Sequence, residues 1–96
     1  MPDELLILTM YVNPECARCK ALNVSALAKA WGTEIDVCNA HDPGALADLA
    51  GLGLLHQDLP ILVVSRSAST GGLDRRFIAP VTERSRPGQE RALPEM

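Results

Sequence analysis

The amino-acid sequence predicts a small α/β domain in which four strands form one mixed sheet flanked by helices. The length of 96 residues fits one compact domain, and the 47% apolar content is enough to build one core. Apolar patterns follow one another in the order strand, helix, strand, helix, strand, strand. The opening strand-helix-strand unit implies a right-handed parallel crossover, and the closing pair implies a hairpin.

The first strand and the first helix are predicted from two different apolar patterns. Residues 5–12, LLILTMYV, form a nearly continuous apolar run, which is typical of a central strand covered on both faces, and Pro14 excludes a helix that continues from it. Residues 16–31 are predicted as a helix, with Gly32 as its C-terminal stop. One stripe of that helix has helical spacing and consists of Val24, Leu27, Ala28 and Trp31.

The second strand and the second helix follow directly. Residues 34–38, EIDVC, alternate apolar and polar side chains, which predicts a strand with Cys38 on the face opposite its two aliphatic residues. Asp42 is then expected to cap a shorter helix that has Pro43 in its first turn. One of the two glycines that follow, at positions 51 and 53, should end this helix.

The last two strands are predicted at residues 59–64, LPILVV, which Pro60 opens, and at residues 76–81, as a hairpin across a turn at 67–72. No pattern indicates a third helix. The domain is therefore expected to span residues 1–81. Residues 82–96 carry prolines and charges without an apolar period, which predicts a flexible C-terminal tail or one short turn of helix.

Composition excludes several classes of function. A net charge of −3 gives no broad basic surface for nucleic acid. The apolar runs are far shorter than the ~18 residues that span a bilayer, and the acidic N-terminus is unlike a secretory signal, so a cytoplasmic protein without a membrane segment is expected. Three cysteines, two of them closely spaced, favour redox or metal chemistry over a disulfide framework.

Two cysteines lie three positions apart where the first predicted helix begins. Unpaired backbone N–H groups and the helix dipole at that end would favour the thiolate of Cys16, and Arg18 and Lys20 would act in the same direction. Cys19, one turn further on, would lie close enough to attack a mixed disulfide formed at Cys16. This context predicts dithiol chemistry.

Residues 5–80 resemble the thioredoxin superfamily, and within it the glutaredoxin-like small redoxins. Three segments carry the resemblance: LTMYVNPECARCKAL, EIDVCNAHDPGALADLAGLGL and DLPILVV. The resemblance implies a thioredoxin-like fold in which the third helix is absent or vestigial. It further implies that Cys16 is the attacking thiol, Cys19 the resolving thiol, and Pro60 a cis proline that faces the dithiol.

The resemblance also implies a substrate-binding edge. The backbone beside Pro60, at Leu59 and Asp58, would pair with an extended substrate, and Arg18 lies next to the attacking thiol. Glutathione-binding members usually have proline and tyrosine between the cysteines, a lysine before them and threonine-valine before the cis proline. In those places this chain has Asn13, Ala17, Arg18, Asp58 and Leu59. No cofactor is expected beyond the redox-active disulfide. Glutathione is left as an alternative only in the role of a low-molecular-weight thiol that reacts with this disulfide.

The function predicted from the dithiol is thiol-disulfide exchange, catalysed by a small oxidoreductase. Its substrate would be a protein disulfide or a low-molecular-weight one, and a reductase or a thiol donor would restore the dithiol. A monomer or a weak dimer is expected.

Two alternatives stay open. Cys16, Cys19, Cys38 and His41 have the spacing C-x2-C-x18-C-x2-H, which is within the range of structural zinc modules. The apolar composition, which can form a core without a metal, favours the dithiol interpretation over a zinc-binding domain. The second alternative is a redoxin fold that serves only as an interaction module.

Overall fold

A computed structural model describes residues 6–67 and 73–93. The elements in chain order are β1 Leu6–Val12, α1 Ala17–Ala21, α2 Val24–Trp31, β2 Ile35–Asn39, α3 Pro43–Leu52, β3 Ile61–Ser67, β4 Leu73–Ile78 and β5 Arg91–Ala92. They form a mixed sheet of five strands in the order β2-β1-β3-β4-β5. β1 and β2 are parallel and the other pairs are antiparallel. The predicted α/β architecture is confirmed, with a fifth strand added to the expected four.

The core lies on both faces of the sheet, because β1 and β3 carry apolar side chains on both sides. On one face α2 packs against the sheet through Leu27 and Trp31, beside Leu8 and Met10 of β1. On the other face α3 packs through Leu49, in the cluster that contains Tyr11 of β1. The α2 and α3 helices therefore cover opposite faces of the sheet.

The predicted helix at residues 16–31 is two helices, and the break between them lies at Leu22 and Asn23. Leu22 has an extended backbone with ψ 126°, and Asn23 caps α2 because its side chain accepts the N–H of Ala26 at 3.0 Å. The backbone N–H of Asn23 donates to Glu83 Oε1 at 2.9 Å. An asparagine whose side chain accepts a backbone N–H of the first helical turn favours the start of a new helix at that position over the continuation of the preceding helix.

The second predicted helix is confirmed as α3, with Pro43 in its first turn. It ends at Gly53, whose φ of 75° lies in the left-handed region that favours glycine. Asp42 occupies the N-cap position without a side-chain hydrogen bond.

The closing hairpin has different bounds from those predicted. β4 comprises Leu73–Ile78 rather than residues 76–81, and it ends before the cis Ala79–Pro80 bond. Proline has no N–H to donate to a neighbouring strand, which is a local reason for an end at this point. Residues 68–72 of the predicted turn lie outside the described part of the chain.

Residues 82–93, predicted as a flexible tail, lie against the domain instead. β5 pairs with β4, and the indole Nε1 of Trp31 donates to the carbonyl of Ser85, a buried residue, at 3.1 Å. Glu90 Oε1 lies 2.8 Å from Arg66 Nη2, and the Glu90 side chain is 2% exposed. The difference from the prediction has a physical reason, since single polar contacts of this kind leave no periodic pattern in a sequence.

Residues 79–90, between β4 and β5, contain no helix. The sheet face that carries α3 has an open cleft of about 490 Å³, lined by Ile7, Thr9, Tyr11, Asp48, Ser65 and Arg75 among others. Within the ranges 6–67 and 73–93, none of the helices has the length and apolar character needed to cross a membrane.

Candidate functional site

The predicted site lies at the end of the sheet where β1 and β2 have their C-terminal residues. β1 and β2 are parallel and both end here, with Val12 in register with Asn39. β3 runs antiparallel to β1 with Tyr11 in register with Ile61, so Pro60, the residue before β3, lies at the same edge. The turn that leads into α1 follows directly from Val12. The topology thus brings the dithiol turn, the segment after β2 and Pro60 to one end of the sheet.

Cys16 is the N-cap residue of α1. Its sulfur accepts the backbone N–H of Cys19 at 3.3 Å, in the way that a serine or aspartate oxygen caps other helices. The N–H of Cys16 donates to the carbonyl of Asn13 at 2.9 Å, which closes the preceding turn. Because α1 has only five residues, individual N–H groups rather than a long helix dipole favour a negative charge at this sulfur.

The surroundings lower the pKa of Cys16. The largest cause is a hydrogen bond from the thiol of Cys19, followed by the Cys19 backbone N–H. Desolvation is the third effect and acts in the opposite direction, and the backbone N–H and the guanidinium of Arg18 add smaller effects that lower the pKa. The hydrogen bonds and the positive charge stabilise the thiolate relative to the thiol.

The pKa of Cys19, in contrast, is raised. Burial is the largest cause, and the hydrogen bond that this thiol makes to Cys16 is the second. The backbone N–H of Asn13 and the charge of Arg18 act in the opposite direction without cancelling the increase. The dithiol is therefore asymmetric, with the negative charge favoured on Cys16 and the proton on Cys19. Both are free thiols, partly exposed.

Arg18 is exposed and lines a groove beside the dithiol helix. The groove has a volume of about 440 Å³, and its far wall is the segment that follows β4. Its lining residues are Arg18, Ala21, Leu22, Pro80, Val81, Thr82, Glu83 and Arg84. No sequence pattern indicates this groove, because its two walls are about sixty positions apart in the chain.

The residues expected to bind substrate have different surroundings. The Leu59–Pro60 bond is cis, the conformation that the family resemblance implies. Pro60 is buried and its carbonyl accepts the N–H of Val81 at 2.8 Å, so that carbonyl already has a partner. Leu59 packs partly buried against the α3-side core, while Asp58 is exposed. Asp58 is thus the solvent-facing member of the predicted set.

The four predicted zinc ligands are not brought together. Cys38 lies on β2 beside Tyr11, and its side chain packs partly buried against the α3-side core. His41 contacts Asn13 instead of a cysteine. In the part of the chain that the structure describes, no three or more histidine, cysteine, aspartate or glutamate side chains form a group that could hold a metal ion.

Asn13 is a residue of this site to which sequence reasoning gave no role. Its side-chain Oδ1 accepts the N–H of Glu15 at 3.0 Å, and its Nδ2 lies 2.8 Å from His41 Nε2. The available sequence signal is the Asn-Pro pair itself, because an asparagine before proline favours a turn closed by its own side chain. The contact to His41 has no counterpart in the local sequence.

Comparisons with protein-family models, with curated proteins and with solved structures found no match for this chain. The functional assignment therefore depends on the geometry of the dithiol and its neighbours.

Proposed function

We propose that the protein is a thiol-disulfide oxidoreductase that uses Cys16 as the attacking thiol and Cys19 as the resolving thiol. The observation that carries the proposal is the asymmetry of the pair. The Cys16 sulfur accepts the backbone N–H of Cys19, and its pKa is lowered by the Cys19 thiol and N–H, whereas the pKa of Cys19 is raised by burial. Only a thiolate attacks a disulfide, so this arrangement selects which sulfur reacts first.

The reaction takes place in two exchanges. The Cys16 thiolate attacks one sulfur of a substrate disulfide, a Cys16-substrate disulfide forms, and the other substrate sulfur leaves as a thiolate with the bonding electron pair. The Cys19 thiol loses its proton to solvent and attacks the Cys16 sulfur. The Cys16–Cys19 disulfide forms and the second substrate thiolate leaves. The substrate gains two electrons and the dithiol loses two.

The fold supports the same proposal, because a β2-β1-β3-β4 core with parallel β1 and β2 is compatible with a thioredoxin-like fold. A cis Leu59–Pro60 bond at the dithiol edge is compatible with it as well. In this proposal an extended substrate lies beside Leu59 and Asp58, and the guanidinium of Arg18 is close enough to the reacting sulfur to lower its pKa. Fold alone does not fix function, so these features add to the dithiol geometry and do not replace it.

The substrate is a protein or low-molecular-weight disulfide, and an external thiol or a reductase returns two electrons to the Cys16–Cys19 disulfide. The reaction needs a compartment that supplies such a reductant, and the cytoplasm is the one we propose. The glutathione-binding positions of glutaredoxins are replaced here by Asn13, Ala17, Arg18, Asp58 and Leu59.

The test measures reduction of insulin and of hydroxyethyl disulfide with dithiothreitol as the electron source. Cys16→Ser is expected to abolish reduction of both, and Cys19→Ser to accumulate a mixed disulfide at Cys16 that mass spectrometry detects. Cys38→Ser is the matched control and should retain activity, since Cys38 packs against the α3-side core. Activity that survives Cys16→Ser, or that Cys38→Ser also removes, contradicts the proposal.

A further inference from the structure

The groove beside the dithiol helix carries an arginine on each of its two walls. Arg18 lies on α1, between the two cysteines in the sequence, and Arg84 lies on the segment that follows β4. Leu22 and Val81 contribute apolar side chains to the lining, and the volume of the groove is about 440 Å³. An apolar lining that contains a few charged groups is typical of a ligand site.

Hydrogen bonds attach the far wall of the groove to the dithiol end of the sheet and to the core. The N–H of Val81 donates to the carbonyl of Pro60 at 2.8 Å. The carbonyl of Ser85, next to Arg84, accepts the indole N–H of Trp31 at 3.1 Å. The backbone that carries Arg84 is therefore held in place, and the groove is continuous with the end of the sheet where Pro60 lies.

The lining of the groove is positively charged, although the net charge of the whole chain is −3. Of the described lining residues two carry a guanidinium and one, Glu83, carries a carboxylate, whose Oε1 already accepts the N–H of Asn23 at 2.9 Å. Within residues 6–67 and 73–93, neither Arg18 nor Arg84 forms an ion pair. Asp58, the exposed acidic residue of the predicted substrate edge, does not line the groove. The groove is thus complementary in charge to an acidic ligand.

A short stretch of substrate can bridge the distance from the attacking sulfur to the groove. Arg18 lies two positions after Cys16, and Leu22 lies six positions after it. At a rise of about 1.5 Å per helical residue, Leu22 is about 9 Å from Cys16 along α1, and two or three extended residues span that length at about 3.3 Å each. An acidic side chain two or three residues from a substrate cysteine therefore reaches the groove while that cysteine reacts at Cys16.

We propose that the groove selects protein disulfides in which an acidic residue lies two or three positions from the reacting cysteine, with Arg18 and Arg84 on either side of its carboxylate. This inference rests on the proposed function and names its substrate class. The dithiol gives two electrons to the substrate disulfide, which becomes two thiols, and the Cys16–Cys19 disulfide forms. The apolar part of the lining favours a polypeptide over a small acid, since a carboxylate alone would leave that surface exposed to water.

The test measures how fast the reduced protein reduces symmetric peptide disulfides in a single turnover, with the peptide thiols quantified by mass spectrometry after an acid quench. The peptide Glu-Glu-Ala-Cys-Ala-Glu-Glu, blocked at both ends, is compared with versions in which glutamine or lysine replaces every glutamate. Each rate is divided by the rate of dithiothreitol with the same peptide, which removes differences in intrinsic reactivity. The wild type should prefer the glutamate peptide over the glutamine peptide about three- to tenfold and should reduce the lysine peptide slowest.

Substitutions of Arg84 test whether the groove causes this preference. Arg84→Gln should reduce it to less than about twofold, and Arg84→Glu should reverse it in favour of the lysine peptide, which loss of stability alone would not produce. Lys20→Gln is the matched control, because it removes a positive charge from α1 outside the groove, and it should keep the preference. The inference is overturned if Arg84→Gln keeps the preference, if Lys20→Gln removes it, or if Arg84→Glu does not reverse it.

A small acid is tested as the other occupant. If the wild type reduces glutathione disulfide as fast as the glutamate peptide, and Arg84→Gln slows both reactions equally, the occupant is a small acid and the inference is overturned. A slower reaction with glutathione disulfide that does not depend on Arg84 supports a polypeptide.

Binding is measured separately, so that failure of the groove and failure of the proposed function can be distinguished. The glutamate peptide with serine in place of cysteine is titrated into isotopically labelled protein and followed by NMR. Amide shifts are expected in α1 and at residues 80–84, and they should be lost in Arg84→Gln; their absence in the wild type overturns the inference. A protein that shows these shifts but reduces no peptide would refute the proposed function and leave the groove as a binding site for acidic peptides. Equal reduction of all the peptides would refute selection by the groove alone.

Discussion

At the scale of single residues, the proposed chemistry depends on two thiols whose pKa values are shifted in opposite directions. The Cys19 thiol and backbone N–H both donate to the Cys16 sulfur, so in the proposed reaction the resolving residue would also activate the nucleophile. The charge of Arg18 contributes from the exposed side of α1. Since the Coulomb effect of an exposed charge is weakened by water, hydrogen bonds should dominate over Arg18 in setting the reactivity of Cys16.

This ranking gives a prediction for the two basic residues of α1. Arg18→Ala should slow alkylation of Cys16 at neutral pH about two- to threefold, because loss of the guanidinium raises the pKa of that thiol. Lys20→Ala removes the same charge from another exposed position of α1, and Lys20 is not among the groups that shift the pKa of Cys16, so this variant should leave the rate unchanged. Equal effects of the two substitutions would show that net charge, rather than the position of Arg18, controls the thiolate.

At the scale of elements, the break between α1 and α2 separates the dithiol from the helix that packs on the sheet. α1 has no buried residue, whereas α2 buries Leu27 and Trp31. Asn23 makes this separation possible, because its side chain caps α2 and its N–H is satisfied by Glu83. The dithiol turn is thus an exposed element attached to a firmly packed helix.

The cap can be tested by its cost in stability. Asn23→Ala should lower the free energy of unfolding by about 1 kcal/mol, since the N–H of Ala26 loses its acceptor. Asn23→Ser retains a capping oxygen and should recover most of that loss. Urea denaturation followed by fluorescence of Trp31, the single tryptophan, measures both variants. Ser25→Ala, at an exposed position of the same helix, is the control. A serine variant as unstable as the alanine variant would argue against a capping role.

At the scale of the whole molecule, the C-terminal segment closes the side of the domain that carries β4. β5 extends the sheet, Ser85 binds the indole of Trp31, and Arg91 donates to the carbonyl of Ala79 at 2.8 Å. Glu90 anchors the segment to β3 through its ion pair with Arg66, and its other carboxylate oxygen accepts the N–H of Gly88 at 2.6 Å within the segment. These contacts make residues 82–93 part of the domain.

Glu90 should make stability depend on acidity. Burial by itself would raise the pKa of Glu90, but the N–H groups of Glu90 and Gly88 together with Arg66 lower it below the ordinary value of 4.5. A carboxyl whose pKa is lower in the folded than in the unfolded protein stabilises the fold at pH values above its unfolded-state pKa. That stabilisation is lost as the pH falls through its folded-state pKa. The stabilisation should therefore be complete above about pH 4.5 and be lost below it.

The measurement is the free energy of unfolding of wild type and of Glu90→Gln, by urea denaturation at a series of pH values. At neutral pH the variant should be less stable by about 1 kcal/mol, and the difference should shrink as the pH falls below 4.5. Glu34→Gln, at an exposed position before β2, serves as the control. A difference that stays constant with pH would exclude a role for the Glu90 charge.

The sequence by itself determined the class of the domain, the order of its first strands and helices apart from the break between α1 and α2, and the place of the dithiol at the start of α1. Each of these features is written in short-range patterns, such as the apolar run of β1, the helical spacing that ends at Trp31, or the Cys16–Cys19 interval. Propensity and periodicity act over a few residues, so they can be read directly from a linear sequence.

Only the tertiary structure decided which distant polar groups meet. It joined Asn13 to His41 and Asn23 to Glu83, and it placed residues 82–93 against the sheet. It also places Cys38 and His41 away from the dithiol, so the described residues form no metal-binding group, although the spacing of the four residues resembles that of a zinc module. The physical reason is that a hydrogen bond or an ion pair requires only that two atoms meet at a suitable distance and angle. Two residues far apart in the chain can satisfy this requirement without any periodic pattern in the sequence that would predict it.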